Sequence, residues 1–373
     1  MTQCNIGAPY PTSLWNTPPM MKQTLIALAA LGASGMAAAQ SSVTLYGVAD
    51  AGLGRINRPL TGRADPVTGV QAQAIDPTTS CLLWDNKTRF ISGAMMNNAD
   101  SRIGFTGVED IGGGGKVGFQ FETGINLEDG RTTTDTFWAR QANVFVGGNW
   151  GTIKAGRQFT PSFLAQGAYE LTGLANYSAL ANTYGVVGVG FRASSALAYV
   201  TPNMNGFQAA AAFVSKNNPE GAPFGKNVWD LGVMYAGGPL GVGFSVNKGA
   251  DGGKTNYQLG AKYSFGNFAL AASYQNVSSN ALRERTRRGF SLGGQAQFGA
   301  FTVTLDVTRD TRNQWTGAWA PNATNTAWTW NNKKYTNAVL EAKYAMSKRT
   351  FLYGAVLRLD GATNWGVGIN HSF

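Results

Sequence analysis

The side chains able to do chemistry in this chain are few in kind, and most of them are cations. Its 373 residues include one histidine, His371, and two cysteines, Cys4 and Cys81. A lone imidazole argues against Ser–His or Cys–His relays and against multi-histidine metal sites. Gly112–Gly115 lacks the following Lys-Ser/Thr and the helix of a phosphate loop, and Gly188-Val189-Gly190 has no dinucleotide-fold context. No catalytic, cofactor or metal site is expected, and the chain is not read as an enzyme. What remains is charge: 30 lysines and arginines against 20 acids, a net +10. Arg102, Arg140, Arg157 and Arg192 stand within or beside short alternating runs. Side chains so placed select solutes by their field rather than by making bonds.

The elements that would position them are strands. Phe301, Val303, Leu305 and Val307 alternate with Thr302, Thr304, Asp306 and Thr308, the pattern of a strand with lipid on one side and water on the other. About sixteen such runs are expected from residue 42 to the end, among them 99–108, 151–158, 192–201, 288–297 and 301–308. Tight connectors (148–150, 203–205, 237–239, 266–267, 299–300) alternate with long polar ones. The long ones are Ile56–Ala99, Phe159–Phe191, Ser215–Asn227, Val277–Arg287 and Arg309–Lys334. Short turns at one rim and long loops at the other are the asymmetry of an outer-membrane β-barrel. Phe265, Phe268, Phe298, Phe301, Tyr344 and Phe351 crowd the tight turns, where an aromatic girdle would meet the membrane boundary. The fold class is therefore all-β, a transmembrane antiparallel up-and-down barrel with short periplasmic turns and long extracellular loops.

Both ends agree with export. Lys22, the apolar run from Leu25 through Met36 and Ala37-Ala38-Ala39 form a basic region, a short apolar region and a small-residue cleavage site. Residues 1–39 are expected to be an upstream extension plus a cleaved leader, with a true start at Met20 or Met21, leaving the barrel at 40–373. Lys22 is the one charge lost, so the mature balance is +9 and Cys81 stands alone as an incidental loop cysteine. Beyond the leader, no apolar run approaches the ~20 residues of a spanning helix. The final strand sets Trp365, Val367, Ile369 and Phe373 on one face and ends on that aromatic, which reads as the signal recognised by the barrel-assembly machinery.

Arg102 shares a strand face with Gly104 and Thr106 opposite Ile103 and Phe105, so alternation turns it into the lumen. Arg192 shares a face with Ser194 and is placed there too. Strict parity groups Arg140 with Val144 and Val146, and Arg157 with Ile153 and Ala155. Either a bulge intervenes or those outer rows contact another subunit. A cation at the lipid-facing midplane costs roughly 2–4 kcal/mol, which favours inward placement of arginines inside strands. The run from Arg283 to Arg288 is assigned to an outer loop, solvated, gathering anions at the mouth or bridging lipopolysaccharide phosphates.

Ser41-Ser42-Val43-Thr44-Leu45-Tyr46-Gly47, Ser101-Arg102-Ile103-Gly104-Phe105, Gly107 to Gly114, Arg140-Gln141-Ala142, Gly151 to Gln158, Ser347-Lys348-Arg349-Thr350 and Gly368 to Phe373 occur in this order across the mature chain. In this ordered set the chain resembles the trimeric general-diffusion porins of β-proteobacterial type. The resemblance implies sixteen strands, a homotrimer and a third extracellular loop folded inward to narrow the pore. It favours pore positions for Arg102, Arg140 and Arg192, with Arg157 beside them and Glu170 as the single charge of the inward loop. Three departures stand out: a long first loop, Asn370 where family members often have arginine, and a third loop with few acids.

The expected function is a passive, water-filled outer-membrane pore for ions and small hydrophilic solutes, preferring anions. Its surroundings would be outer-membrane lipid and lipopolysaccharide, with no nucleic-acid partner. A barrel phospholipase would need a nucleophile and a base, and His371 sits at the extreme end. A surface adhesin or ligand-binding barrel would work through long loops such as that holding Trp315, Trp319, Trp328 and Trp330.

Overall fold

The computed structural model describes residues 42–57, 87–186, 189–218, 220–222, 225–249, 254–279, 285–315 and 333–373. The leader, Cys4, Cys81, Trp319, Trp328, Trp330 and Arg283 lie outside the described residues.

The chain pairs with itself strand by strand. The strands are β1 (Ser42–Arg55), β2 (Arg89–Ile91), β3 (Arg102–Gly112), β4 (Gly115–Gly124), β5 (Gln141–Gly148), β6 (Gly151–Phe159), β7 (Arg192–Val200), β8 (Phe207–Val214) and β9 (Val228–Gly237). Then follow β10 (Leu240–Lys248), β11 (Asn256–Phe265), β12 (Phe268–Ser279), β13 (Arg285–Phe298), β14 (Phe301–Trp315), β15 (Thr336–Ala345), β16 (Thr350–Leu359) and β17 (Ala362–Ser372). All pairings are antiparallel, and β1 closes the circle by pairing with β17 over Val48–Arg55. The other edge of β1 carries β3 along Ser42–Val48 and the three-residue β2 along Gly52–Gly54. β2 and β3 thus share one place in the wall, which makes a closed barrel of sixteen positions. Closure leaves no unpaired edge, the condition for β-structure in lipid. Among the described residues no helix is long and apolar enough to cross a membrane.

Alternation sorts the wall as expected. Leu45, Leu197, Leu259, Leu292, Leu305 and Val367 are about half exposed on the outside, while Gln258, Gln275, Thr304, Asn337 and Asn364 are buried on the inside. Phe268 packs between Phe265 (6.0 Å) and Phe298 (6.4 Å), and Phe301 meets Tyr344 at 4.6 Å, forming an aromatic band beside the tight turns. Phe351 is not part of it. It lies one residue out of phase with the exposed Leu352 and packs inward, 6.3 Å from Tyr353.

Three wall segments, β12, β13 and β14, run into stretches expected to be loops. β13 and β14 pair from Arg285–Trp315 down to Phe298–Phe301 with one register shift at Arg288/Gly289. This extends them into stretches assigned to loops. The outer connector between β16 and β17 is only Asp360-Gly361, with Asp360 at φ 48° and Gly361 at φ 90°.

Candidate pore constriction

The segment between β6 and β7, Phe159–Phe191, turns into the barrel. It holds two short helices, α1 (Pro161–Gly167) and α2 (Ala179–Tyr184), capped by Thr160, which accepts from the Phe163 N–H at 3.3 Å, and by Ser178, which accepts from the Ala181 N–H at 3.2 Å. Helix α1 lies on β8–β11, and α2 on β13–β16. The wall under α1 is glycine because backbone meets backbone there: a β-carbon at Gly243 would stand 1.9 Å from the Ala165 carbonyl oxygen.

Buried polar groups of the wall fasten the loop. Asp230 accepts from the Ser162 N–H (2.9 Å) and hydroxyl (2.5 Å), and Gln258 donates to the Ser162 carbonyl at 2.7 Å. Tyr177 donates to Glu341 at 2.6 Å, and the Lys343 ammonium bridges Glu341 (3.0 Å) and the Thr172 carbonyl (2.9 Å). Thr183 shares a 2.8 Å hydrogen bond with Thr308 and accepts from Asn337. Between these points Tyr177 and Ala179 pack on Val339, Tyr353 and Leu357 in the largest apolar cluster inside the barrel. Such satisfied buried groups fix one loop position, because each would be costly if left unpaired.

Glu170 is a correction to the sequence reading. It is only 5% exposed and accepts from the Thr172 hydroxyl (2.6 Å), the Leu174 N–H (2.7 Å) and the Ser178 hydroxyl (2.7 Å). Its carboxylate is consumed inside the loop, so it is not a pore-lining charge. Arg287 is a second correction. It belongs to β13, is 4% exposed, pairs with Asp310 (2.9 Å) and Asp360 (3.2 Å), and donates to the Thr183 carbonyl. It clamps α2 to the wall rather than lying in an outer loop.

The inward loop covers β8–β11 and β13–β16, and the cations collect on the opposite wall, β3–β7. Arg102 lies 3.8 Å from Glu122 and donates to the Asp100 carbonyl. Arg140 pairs with Glu122 at 2.6 Å and with Asp100 at 2.7 Å. Glu122 also accepts from Tyr46 at 3.0 Å. The parity conflict at Arg140 has a structural cause: Gln141 is the in-register partner of Glu122, and the Arg140 N–H also donates to the Glu122 carbonyl at 3.1 Å. Two residues oppose one, as at a bulge, and Arg140 escapes the alternation.

Arg157 donates to the Ala139 carbonyl and to the Ser194 hydroxyl at 2.7 Å. A register shift between β6 and β7, beginning at Gly156, accompanies it. Arg192 lies with its guanidinium 4.6 Å above the Phe159 ring. The charged groups around it are Arg140, Glu122, Asp100 and Arg157. Among the described residues its guanidinium makes no ion pair and no hydrogen bond, and its Nε is buried without a partner. The four arginines expected at the pore are thus one cluster. Its acidic members, Asp100 and Glu122, were not singled out in the sequence, although Glu122 follows Gln120 on the polar face of its strand.

A profile of the Gram-negative porin family matches residues 24–364. The outer membrane porin protein 32 of Delftia acidovorans is 34% identical over 69% of this chain and 70% of its own length. An outer membrane porin protein of Bordetella pertussis is 28% identical over 95% of this chain and 100% of its own. Among solved structures, an anion-selective porin from Comamonas acidovorans superposes with a TM-score of 0.63 at 22% identity, covering 90% of this chain and 100% of that one. The trimer form of OmpT from Vibrio cholerae does so with a TM-score of 0.59 at 14% identity, over 89% and 99%. With a sixteen-position closed barrel and an inward loop facing a cationic wall, the chain belongs to the Gram-negative porin family and is an outer-membrane channel.

Proposed function

We propose that this porin prefers anions and that Arg192 is the charge that sets the preference. The observation carrying this reading is the imbalance on the β3–β7 wall. Four guanidiniums (Arg102, Arg140, Arg157, Arg192) face two carboxylates (Asp100, Glu122), and the inward loop contributes no free acid because Glu170 is internally bonded. Arg102 pairs with Glu122 and Arg140 with both acids, whereas Arg157 and Arg192 have neither, and Arg157 is hydrogen-bonded to Ala139 and Ser194 while the Arg192 guanidinium is not hydrogen-bonded. Fixed charge in a narrow passage concentrates the opposite ion and repels its own kind. A membrane channel matching this reading gives a zero-current potential of chloride-preferring sign in a potassium chloride gradient at low salt. Arg192→Glu moves that potential toward potassium, whereas Arg349→Glu, in the exposed β15–β16 turn, does not. A wild-type channel that prefers potassium would overturn the reading.

The same proposal includes a homotrimer in outer-membrane lipid, exported by a leader within residues 1–39. Support for self-association is the outer face near the chain start, where Val43 and Leu45 are 67% and 52% exposed and Ala49 and Ala51 leave space for a neighbour. Unheated detergent samples should migrate as a heat-labile oligomer, and a monomer by native mass spectrometry would refute it. Mass spectrometry of the mature N-terminus, expected at Gln40, tests the leader.

A further inference from the structure

Besides its charged neighbours, the unpaired guanidinium of Arg192 stands against an aromatic one. It covers Phe159, whose ring stacks on Phe163 of α1 at 4.8 Å, and Phe163 meets Phe191 edge-on at 5.4 Å. All three rings are only partly buried. The arrangement sits where the inward loop leaves and rejoins the wall, because Phe159 and Arg192 are direct partners across β6 and β7. Chloride or phosphate would use the cation and gain nothing from three partly open aromatic faces. A carboxylate attached to a ring would use both, its oxygens accepting from the guanidinium and its ring packing edge or face against the phenylalanines.

We propose that Arg192 with Phe159, Phe163 and Phe191 forms a binding step for small aromatic carboxylates at the constriction. Two observations of different kinds support it. Arg192 has an uncompensated charge and a buried Nε without an acceptor. The loop beside it supplies an aromatic cluster that the rest of its packing does not require, since α1 is already held by Asp230, Asn247 and Gln258 through Ser162. The proposal rests on the anion-preferring reading and adds the class of solute.

The experiment uses full-length protein purified from outer membranes and inserted in planar bilayers, with benzoate and acetate as probes against a chloride current. Benzoate should reduce the chloride current at a concentration about two- to tenfold lower than acetate, the range one aromatic contact supplies. Neutral benzamide should not reduce it at either concentration. Phe163→Leu should bring the benzoate-to-acetate ratio close to one while chloride current still reports an open pore. Phe191→Leu serves the same purpose should the first variant fail to assemble. A chloride-preferring channel that treats benzoate and acetate alike overturns this proposal and leaves the anion reading standing, as does a ratio unchanged in both leucine variants. A potassium-preferring channel overturns both.

Discussion

Phe373 and Gly47 exchange both backbone hydrogen bonds, each 3.1 Å long, and the terminal ring occupies the space over the glycine. A β-carbon at position 47 would stand 2.3 Å from the Phe373 ring and 2.6 Å from the Arg102 carbonyl oxygen. The last residue therefore extends the seam between β1 and β17, beyond the Val48–Ser372 pair. Gly47→Val should displace the ring and lower resistance to urea by about 1–3 kcal/mol, the usual cost of overpacking. Deletion of Phe373 should also cut outer-membrane yield without blocking export, as expected if Phe373, with Ile369, Val367 and Trp365, is the signal for assembly. Normal yield of the deletion would show that assembly does not read this residue.

The Ser162–Asp230 contact fastens the first helix of the inward loop to the wall. Asp230 is 2% exposed and takes both Ser162 donors. Asp230→Ala strands a buried N–H and removes two hydrogen bonds to a charge, each worth about 1.5–3 kcal/mol. The loop should loosen locally, seen as added open-channel noise and a larger mean conductance. Quiet recordings at wild-type conductance would mean that Gln258 and the Tyr177 contacts hold the loop unaided.

Period-two alternation was enough to sort the outward leucines from the inward threonines, and it sets Arg102 on one strand face with Gly104 and Thr106. It failed at Arg140 because a bulge is a feature of pairing, not of one strand's pattern: only the shared partner Glu122 reveals it. Arg287 was misjudged for a related reason. Arg285-Thr286-Arg287-Arg288 has no apolar face, so nothing local marks it as strand, yet β14 pairs with it and two buried acids receive its charge. The length and composition of Phe159–Phe191 show a loop, but the carboxylate of Glu170 turns inward through bonds that form only once that loop has folded.

Arg287 joins Asp310 of β14 to Asp360 of the β16–β17 turn and reaches the α2 backbone. Arg287→Gln removes the cation that joins these two buried carboxylates. Breaking such a pair from one side costs about 3–5 kcal/mol. Urea unfolding in detergent should shift accordingly, and α2 should become accessible to protease. Arg287→Gln combined with Asp310→Asn should recover part of the loss, because one of the two carboxylates that faced the arginine is then neutral. No recovery would mean that the arginine acts through Thr183 and not through its charge.

Glu122 gives the constriction a prediction of opposite sign to Arg192. Its carboxylate is shared by Arg140 at 2.6 Å and Arg102 at 3.8 Å, and Tyr46 also donates to it. Glu122→Gln keeps the shape and an acceptor oxygen for Tyr46 but removes the anion, so the wall changes from four cations against two acids to four against one. Chloride preference should rise where Arg192→Glu makes it fall. The change should be clear at 0.1 M salt, where the Debye length is ~10 Å, and shrink at 1 M, where it is ~3 Å. Asp100, 2.7 Å from Arg140, is untouched by the change, so the cluster keeps one anchor and the pore should remain open. If Glu122→Gln lowers chloride preference, Arg102 and Arg140 must have left the lumen when their acid was removed. The acid would then be what holds the cations in the pore rather than what screens them.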